Sequence, residues 1–283
     1  METLAGHRIF YIDEGEQNQE TILLIHGFPT SSWDWQALWP KLGKERRLVC
    51  LDLLGFGFSD KPNYRRYTIH QQADIVEALV RHLKLKTFHV LAHDYGDTVT
   101  QELLARQNEG AGAGQWLSCC LLNGGLFPET HKALMIQKLL LSPLGPAISS
   151  LMKKPQFDRS FSQVFGKETQ PSKQELEQFW FLINHNGGKH LFHNLITYMH
   201  DRILHRKRWV GALQDAKMPL ALINGSVDPV SGAHMVARYK ALQCRLDYLA
   251  ELPNIGHYPQ VESPENVLHH YLTFLPQQLS DTA

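Results

Sequence analysis

Short apolar runs alternate with stretches of helical periodicity along most of the 283 residues. Short runs of apolar and β-branched residues are typical of strands buried on both faces of a parallel sheet, whereas a helical apolar period indicates an amphipathic helix. The predicted strands, in chain order, are HRIFYIDEG, TILLIHG, RLVCLDLLG, FHVLAHD, LSCCLLNG, PLALINGSVD and RLDYLAELP. This alternation predicts an α/β fold whose mostly parallel sheet is covered by helices on both faces.

Two stretches are the clearest predicted helices. The first, TIHQQADIVEALVRHLKL, places six apolar residues on one helix face, namely Ile69, Ala73, Val76, Leu79, Val80 and Leu83. The second, SPENVLHHYLTFL, begins with Ser263 as N-cap and Pro264 at the first helical position. Such helices would pack on the faces of the sheet.

The alternation stops between about Phe127 and Ala216. This stretch is rich in Leu, Lys, Gln, Phe and His, and its pattern predicts several helices. Strand-like runs lie before and after it, so it interrupts the sheet between consecutive strands. We therefore predict an α/β core domain formed by residues 1–126 and 217–283, with residues 127–216 inserted as a helical cap.

Composition and charge exclude only a few classes of function. Lys and Arg together number 28, as do Asp and Glu, which gives a formal net charge of zero. This balance gives no indication of nucleic acid or an anionic membrane as a partner. No apolar run approaches the length of a transmembrane helix, and METLAGHRIFYIDEG lacks the pattern of a secretory signal. The pattern leaves the oligomeric state open.

The cysteines and histidines indicate neither a disulfide framework nor a metal centre. Four cysteines lie mostly in strand-like runs, which is typical of reduced, buried thiols in a cytoplasmic protein: Cys50, Cys119, Cys120 and Cys244. His190 and His193 could share a helix face, but no carboxylate or cysteine lies beside them at ligand spacing. We therefore expect no metal.

Candidate chemistry begins with LAHDYGDTV, residues 91–99. Its apolar run ends in HDYG, where many hydrolases carry G-x-S-x-G, a sharp strand-to-helix turn that presents a serine nucleophile. Asp94 occupies the place of that serine. Asp228 follows the run ALINGSV, and His257 lies in the loop PNIGHYPQ. Because ligands bind beyond the carboxyl ends of parallel strands, these groups should meet there, in the chain order nucleophile, acid, histidine.

Each of these residues also has a simpler interpretation: Asp94 as a helix N-cap, Asp228 as a turn residue in GSVDP, and His257 as a structural loop histidine. Their joint occurrence with the HGFP turn after TILLI favours the catalytic interpretation.

Together these motifs resemble the α/β-hydrolase superfamily, in the branch of epoxide hydrolases and haloalkane dehalogenases, which use an aspartate nucleophile. The resemblance runs from about residue 20 to the C-terminal helix and includes the predicted cap. It is carried by HGFPTSSWDW, LDLLGFGFSDKP, HDYGD, NGGLFPETH and KRWVGAL. It implies an α/β-hydrolase fold and a hydrolase that needs no cofactor.

The resemblance also implies a role for each site residue. Asp94 would attack a substrate carbon and form an alkyl ester. His257, oriented and charge-balanced by Asp228, would activate the water that hydrolyses this ester. The backbone N–H groups of Phe28 and Tyr95 would form the oxyanion hole.

The nucleophile limits the substrate class. A carboxylate that attacks an ordinary ester gives an anhydride, which is an uphill product. Attack on a saturated carbon that bears a leaving group, or on a strained ring, gives a stable alkyl ester instead. Asp94 therefore favours a small-molecule electrophile, and an epoxide is the first expectation, with an alkyl halide or a strained lactone as alternatives.

The leaving-group acid has more than one candidate. Family dehalogenases usually have Trp after the nucleophile and Asn in the turn, where this chain has Tyr95 and Phe28, whereas HGFP is the epoxide-hydrolase form. Epoxide hydrolases typically use two cap tyrosines as proton donors. The predicted cap contains one, Tyr198, which is either that acid or a packing residue. His131 or His185 could replace the second tyrosine.

Substrate-binding residues are expected at His26, Gly27, Trp33 and Trp180, although both tryptophans could equally pack in the core. An alternative of another class is a ligand-binding homologue of this fold without catalysis, because one fold hosts many functions.

Overall fold

The computed structural model describes residues 1–64 and 66–275. Within these residues the strands are β1 (Glu2–Leu4), β2 (His7–Ile9), β3 (Tyr11–Glu14), β4 (Thr21–Ile25), β5 (Arg47–Leu51), β6 (Thr87–His93), β7 (Gln115–Leu122), β8 (Leu220–Gly225) and β9 (Tyr248–Leu252).

The α-helices of the same residues are α1 (Trp39–Leu42), α2 (Ile69–His82), α3 (Tyr95–Asn108), α4 (Met135–Leu140), α5 (Gly145–Leu151), α6 (Lys154–Ser162), α7 (Lys173–Asn184), α8 (Phe192–Leu195), α9 (Tyr198–Leu204), α10 (Arg206–Gln214), α11 (Ala233–Ala241), α12 (Pro259–Glu262) and α13 (Pro264–Phe274). Two 3-10 helices cover Ser32–Trp35 and His185–Leu191.

Seven strands form one sheet in the order β3-β5-β4-β6-β7-β8-β9. β3 is antiparallel to β5, and the other neighbouring strands are parallel. β1 and β2 form a separate antiparallel hairpin. The predicted α/β fold with a mostly parallel sheet is therefore confirmed.

One predicted strand was wrong in extent. HRIFYIDEG was predicted as a single strand, but it forms β2 and β3 on either side of Phe10. The chain changes partner at this residue, because β2 pairs with β1 whereas β3 pairs with β5. The N–H of Phe10 donates to the Ser59 hydroxyl (2.9 Å) instead of to a neighbouring strand.

Both predicted helices are present. α2 is capped by Thr68, whose hydroxyl accepts a hydrogen bond from the N–H of Gln71 (3.2 Å). α13 begins at Pro264 after Ser263, as predicted, although the Ser263 side chain makes no capping hydrogen bond to the helix backbone. No helix among the described residues is long and apolar enough to span a bilayer.

The sheet separates two hydrophobic clusters. Cys119 belongs to one cluster and its neighbour Cys120 to the other, because successive side chains of a strand point to opposite faces. All four cysteines are buried and free. β4 and β8 are buried at every position, as expected for central parallel strands covered on both faces.

The helices α4 to α10 lie between β7 and β8 in the sequence. Aromatic side chains join this inserted segment to the loop after β9: the rings of Phe161 and Phe165 lie 5.1 and 5.2 Å from that of Tyr258. Tyr258 directly follows His257, so the inserted helices pack against the loop that carries the candidate histidine. The division into core and cap domains at residues 127–216 stays a prediction.

Candidate active site

A strained turn presents Asp94. The residue lies between the end of β6 and the start of α3, with φ 46° and ψ −103°, a conformation that residues with a Cβ rarely adopt. Gly96 makes the turn possible, since a Cβ at this position would clash with the carbonyl oxygen of Ile25. The first turn of α3 therefore packs directly on the end of β4, which places Asp94 at the carboxyl edge of the sheet.

The two carboxylate oxygens of Asp94 face different surroundings. Oδ2 accepts a hydrogen bond from the N–H of Phe28 (3.1 Å). Oδ1 lies 3.7 Å from Nε2 of His257 and 3.8 Å from Nη2 of Arg202. Burial alone would raise the pKa of this carboxyl, which is 4% exposed, but the attraction of His257 and Arg202 is larger and places the pKa below its usual range. Asp94 is therefore ionised at neutral pH.

His257 lies between two carboxylates. Its Nδ1 donates a hydrogen bond to Oδ2 of Asp228 (2.7 Å), and its Nε2 faces Asp94. Burial alone would lower the pKa of the imidazole, but the charges of Asp228 and Asp94 raise it well above the usual value. The side chains predicted at three strand ends are thus brought together in one cluster.

Asp228 is held by residues that sequence reasoning missed. Its Oδ2 also accepts hydrogen bonds from Asn123 Nδ2 (2.9 Å) and the Ser231 hydroxyl (2.7 Å), and its Oδ1 accepts one from the N–H of Val230 (2.7 Å). Burial alone would raise the pKa of Asp228, but the His257 cation and the hydrogen bonds from Asn123 and Val230 lower it. The Asn-Gly pair at the end of LSCCLLNG was an available signal for Asn123, which adopts a positive φ of 46°.

His93 and Gly27 hold the backbone segments that carry His257 and Asp94. Nε2 of His93 donates to the backbone carbonyl of His257 (2.7 Å), which ties the end of β6 to the histidine loop. Burial lowers the pKa of His93 to about 3, so this imidazole is neutral. A Cβ on Gly27 would lie 2.5 Å from Nδ1 of His93 and 3.1 Å from Cβ of Asp94, so the HGFP turn needs glycine here.

His26 fixes the same turn. Its Nδ1 donates to the carbonyl of Gly27 (2.8 Å), and its Nε2 accepts from the N–H of Leu53 (3.0 Å). Both ring nitrogens are therefore engaged by backbone groups.

An apolar cavity of about 80 Å³ opens onto Asp94 and His257. The other residues that line it are Phe28, Pro29, Leu134, Ile136, Gln137, Leu140, Met152, Phe157, Ser160, Phe161, Val164, Phe192, Val230 and Tyr258. Much of this wall comes from the inserted helices. A cavity of this size and polarity suits a small, largely apolar ligand.

The two predicted tryptophans do not reach this cavity. Trp33 is 38% exposed and lines a separate groove with Phe58. Trp180 packs against Phe157, with ring centroids 5.4 Å apart.

The structure also shows the surroundings of the three candidate leaving-group acids. Tyr198 is 1% exposed, lies against the ring of Tyr95 (4.6 Å) and is not part of the cavity wall, and burial raises its pKa. His185 packs on Phe58, 4.9 Å between centroids. Both ring nitrogens of His131 are buried without a hydrogen-bond partner among the described residues. Burial, together with the charge of Arg202, lowers the pKa of His131 to about 4.

Arg202 on α9 is the most notable residue that sequence reasoning missed. It is 1% exposed, and its Nε donates to the Thr98 hydroxyl (2.9 Å). Its carbon Cζ lies 4.5 Å from the ring centroid of Tyr198. Arg202 follows Tyr198 by four positions, so the two share a helix face.

The cluster contains carboxylates and an imidazole but no metal-binding arrangement. Within residues 1–64 and 66–275, no group of three His, Cys, Asp or Glu side chains is placed to hold a metal ion. The arrangement can supply a carboxylate nucleophile, a base and N–H donors.

Comparison with known proteins identifies the fold family of the chain. Residues 20–111 match the family described as alpha/beta hydrolase fold. The chain is 43% identical to the human mesoderm-specific transcript homolog protein over 282 residues, which cover 96% of this chain and 84% of that protein.

Two solved structures share the fold. A haloalkane dehalogenase loop variant from Bradyrhizobium elkanii has a TM-score of 0.79 at 18% identity, covering 98% of this chain and 95% of that chain. The epoxide hydrolase CorEH has a TM-score of 0.78 at 17% identity, covering 98% of this chain and 97% of that chain. The chain therefore belongs to the α/β-hydrolase fold family and is a relative of the mesoderm-specific transcript proteins.

Proposed function

We propose that this protein is a hydrolase that forms an alkyl ester at Asp94 and then hydrolyses that ester. The main support for the proposal is that the two carboxylate oxygens of Asp94 have different surroundings. Oδ2 is held by the N–H of Phe28, whereas Oδ1 faces His257 and carries no hydrogen bond at that distance. One oxygen is positioned for an oxyanion hole, and the other is free to attack.

In the first step, an electron pair of Oδ1 forms a bond to a saturated substrate carbon. The bond from that carbon to the leaving atom breaks, and its electron pair departs with the leaving atom. The product is a neutral ester of Asp94. This step uses no base, since the low pKa of Asp94 already supplies the ionised nucleophile.

In the second step, His257 takes a proton from water, which attacks the carbonyl carbon of the ester. The negative charge develops on Oδ2, where the N–H of Phe28 lies. The N–H of Tyr95, the first residue of α3, has no partner within the helix and would be the second donor, although among the described residues only the N–H of Phe28 hydrogen-bonds to Oδ2. Collapse of the tetrahedral intermediate releases an alcohol and restores the carboxylate, and Asp228 balances the imidazolium.

The charges around His257 support this order of the two reaction steps. Before reaction, two carboxylates raise the pKa of the imidazole. Ester formation neutralises Asp94, so one of these carboxylates disappears and the pKa of His257 falls. The imidazolium therefore loses its proton to solvent more readily after the intermediate has formed, which gives the neutral imidazole that accepts a proton from water.

The substrate class follows from the nucleophile. Epoxides, alkyl halides and strained lactones all give a stable alkyl ester with a carboxylate. Asp94 and the HGFP turn make the site epoxide hydrolase-like, and the apolar cavity favours a small apolar substrate.

A purely ligand-binding role accounts less well for the turn at Asp94. Its backbone conformation costs on the order of 1–3 kcal/mol, and the structure retains it directly beside His257. Such strain at a carboxylate next to a base suits catalysis.

The proposal is tested by trapping the ester. His257→Gln, incubated with epoxides, haloalkanes and β-lactones, should accumulate an adduct on Asp94 that intact-protein mass and peptide mapping identify. An epoxide or a lactone adds its full mass, whereas a haloalkane adds only its alkyl group. His82→Gln, a change at the exposed end of α2, should turn over the same substrates without an adduct. Absence of any adduct on folded His257→Gln would refute the proposal.

A further inference from the structure

A single N–H group contacts the carboxylate oxygen on which charge develops in the second step. The N–H of Phe28 donates to Oδ2 of Asp94 (3.1 Å), and the described residues form no other hydrogen bond to that oxygen. An oxyanion donor contributes most when it is already fixed at the place where the charge appears. The group that fixes Phe28 therefore bears on the reaction.

The carbonyl of Phe28 is held by Tyr258. The hydroxyl of Tyr258 donates to this carbonyl (2.8 Å), and no backbone N–H of the described residues does so. Phe28 lies in the wall of the apolar cavity. Its carbonyl therefore depends on Tyr258 for a hydrogen bond, since a polar group in apolar surroundings is costly without a partner.

Tyr258 is itself rigidly placed. Its side chain is buried, its ring stacks on that of Phe165 (5.2 Å between centroids, 12° between planes), and its N–H donates to Glu262 (3.0 Å). The preceding residue, His257, donates its N–H to the carbonyl of Val164 (2.8 Å). The hydroxyl is thus carried by a loop that is anchored on both the inserted segment and α12.

We propose that Tyr258 is a positioning residue whose hydroxyl holds Phe28 so that the N–H of Phe28 stays directed at Oδ2 of Asp94. The inference rests on the proposed function, because the oxyanion forms only if water attacks the ester of Asp94. In the first step the negative charge on Asp94 disappears, so a firmly held donor at Oδ2 does not assist it. In the second step charge returns to Oδ2, and Tyr258 therefore acts on this step.

Tyr258 also lines the cavity, so this role must be separated from another one. A tyrosine in the cavity wall could give its proton to a departing oxygen as a general acid. The observed hydrogen bond directs that proton to the carbonyl of Phe28 instead. The two roles differ in the step they affect, because a general acid assists ester formation whereas an oxyanion hole assists ester hydrolysis.

The test compares Tyr258→Phe, which removes only the hydroxyl, with Tyr239→Phe as the matched control. Tyr239 on α11 is fully buried outside the cavity wall, and its hydroxyl also donates to a backbone carbonyl, that of Arg245 (2.6 Å). Both variants therefore lose one hydrogen bond of the same kind. Single-turnover rapid-quench mass spectrometry follows formation and decay of the Asp94 ester with 1,2-epoxybutane, whose leaving oxygen needs a proton, and with 1-bromobutane, whose bromide does not.

In Tyr258→Phe we expect ester decay to slow by about 10- to 10²-fold with either probe. This is less than the roughly 10²–10³-fold loss for a donor that is removed outright, because the N–H of Phe28 is still present but less well placed. Ester formation should change by less than about threefold with both probes. Tyr239→Phe should leave both rates unchanged.

A spectroscopic readout separates positioning from a loss of stability. In the His257→Gln background, the infrared carbonyl band of the trapped Asp94 ester reports the hydrogen bond that its oxygen accepts. Adding Tyr258→Phe should shift this band to higher wavenumber, because that hydrogen bond weakens. Adding Tyr239→Phe should not move it.

A second variant preserves the test if Tyr258→Phe does not fold. Phe165→Leu keeps the hydroxyl of Tyr258 but removes the ring on which it stacks, and Phe165 lies outside the cavity wall. It should slow ester decay and shift the carbonyl band in the same direction, both by less than Tyr258→Phe.

Three results would overturn the inference. They are ester decay at the parental rate in folded Tyr258→Phe, an equal slowing in Tyr239→Phe, and slower ester formation with the epoxide alone, which would identify Tyr258 as the leaving-group acid. Failure of the proposed function looks different: neither probe then labels Asp94 in folded His257→Gln, and the inference fails with it.

Discussion

Replacing Asp228 by Asn removes a charge from the site with almost no change of shape. The carboxylate accepts four hydrogen bonds: from His257, Asn123 and Ser231 at Oδ2, and from the N–H of Val230 at Oδ1. An amide offers one oxygen and one NH₂ group, so one of these two positions must receive a donor in place of an acceptor.

The two orientations of the new amide differ in cost. With its oxygen at the Oδ2 position, the amide satisfies three donors and opposes only the N–H of Val230. With its oxygen at the Oδ1 position, the NH₂ group faces all three donors, including His257. The first orientation is therefore preferred, and it keeps the tautomer of His257 while it removes the negative charge.

The expected magnitudes follow from this arrangement. One buried N–H left without an acceptor should lower the free energy of unfolding by about 1–3 kcal/mol. Loss of the carboxylate that balances the imidazolium should slow ester hydrolysis by roughly 10³–10⁴-fold, or about 4–5.5 kcal/mol of barrier. Ester formation, which uses no base, should change by less than about tenfold.

The assay is rapid-quench mass spectrometry of Asp228→Asn with a substrate that labels Asp94. The ester should form at nearly the parental rate and then decay slowly, so the adduct accumulates. Asp247→Asn, at a surface carboxylate paired with Arg245, serves as the matched control. Ester decay at the parental rate in folded Asp228→Asn would show that His257 does not depend on this carboxylate.

Two further substitutions test the HGFP turn and the role of Tyr198. Gly27→Ala places a methyl group against His93 and should lower the free energy of unfolding by about 1–3 kcal/mol in denaturant titrations. In contrast, Gly211→Ala in α10, with open space around it, should be neutral or slightly stabilising; equal losses in both variants would contradict the steric argument. Tyr198→Phe should leave the rate of Asp94 labelling within about threefold of the parental rate, since the hydroxyl lies outside the cavity wall. A loss of about 10²-fold or more would instead identify Tyr198 as a general acid.

The fold could be predicted because its strands are continuous apolar runs between amphipathic helices. The clustering of Asp94, Asp228 and His257 could also be predicted, since each follows a strand and parallel strands end at one edge. The same reasoning missed the division of HRIFYIDEG, because the change of pairing partner at Phe10 depends on a hairpin that the apolar pattern does not encode.

Contacts between residues far apart in the chain could not be predicted from the sequence. Arg202 reaches Asp94 because α9 is packed against the first turn of α3, where it meets Thr98, and no local pattern predicts that contact. For the same reason, Trp33 and Trp180 were expected at the substrate site but lie outside its wall. A helical period shows that a residue is buried on one face, but not which partner that face meets.

The most direct test of the ester mechanism follows the origin of one oxygen atom. A single turnover is run in H₂¹⁸O with enzyme in excess over a substrate that labels Asp94, and both product and Asp94 peptide are analysed by mass. Water that attacks the ester carbonyl leaves ¹⁸O in the Asp94 carboxylate, and the product alcohol takes its oxygen from the unlabelled enzyme. We therefore predict a labelled Asp94 peptide and an unlabelled product hydroxyl. A labelled product with an unlabelled peptide would mean that water attacks the substrate directly, which contradicts covalent catalysis by Asp94.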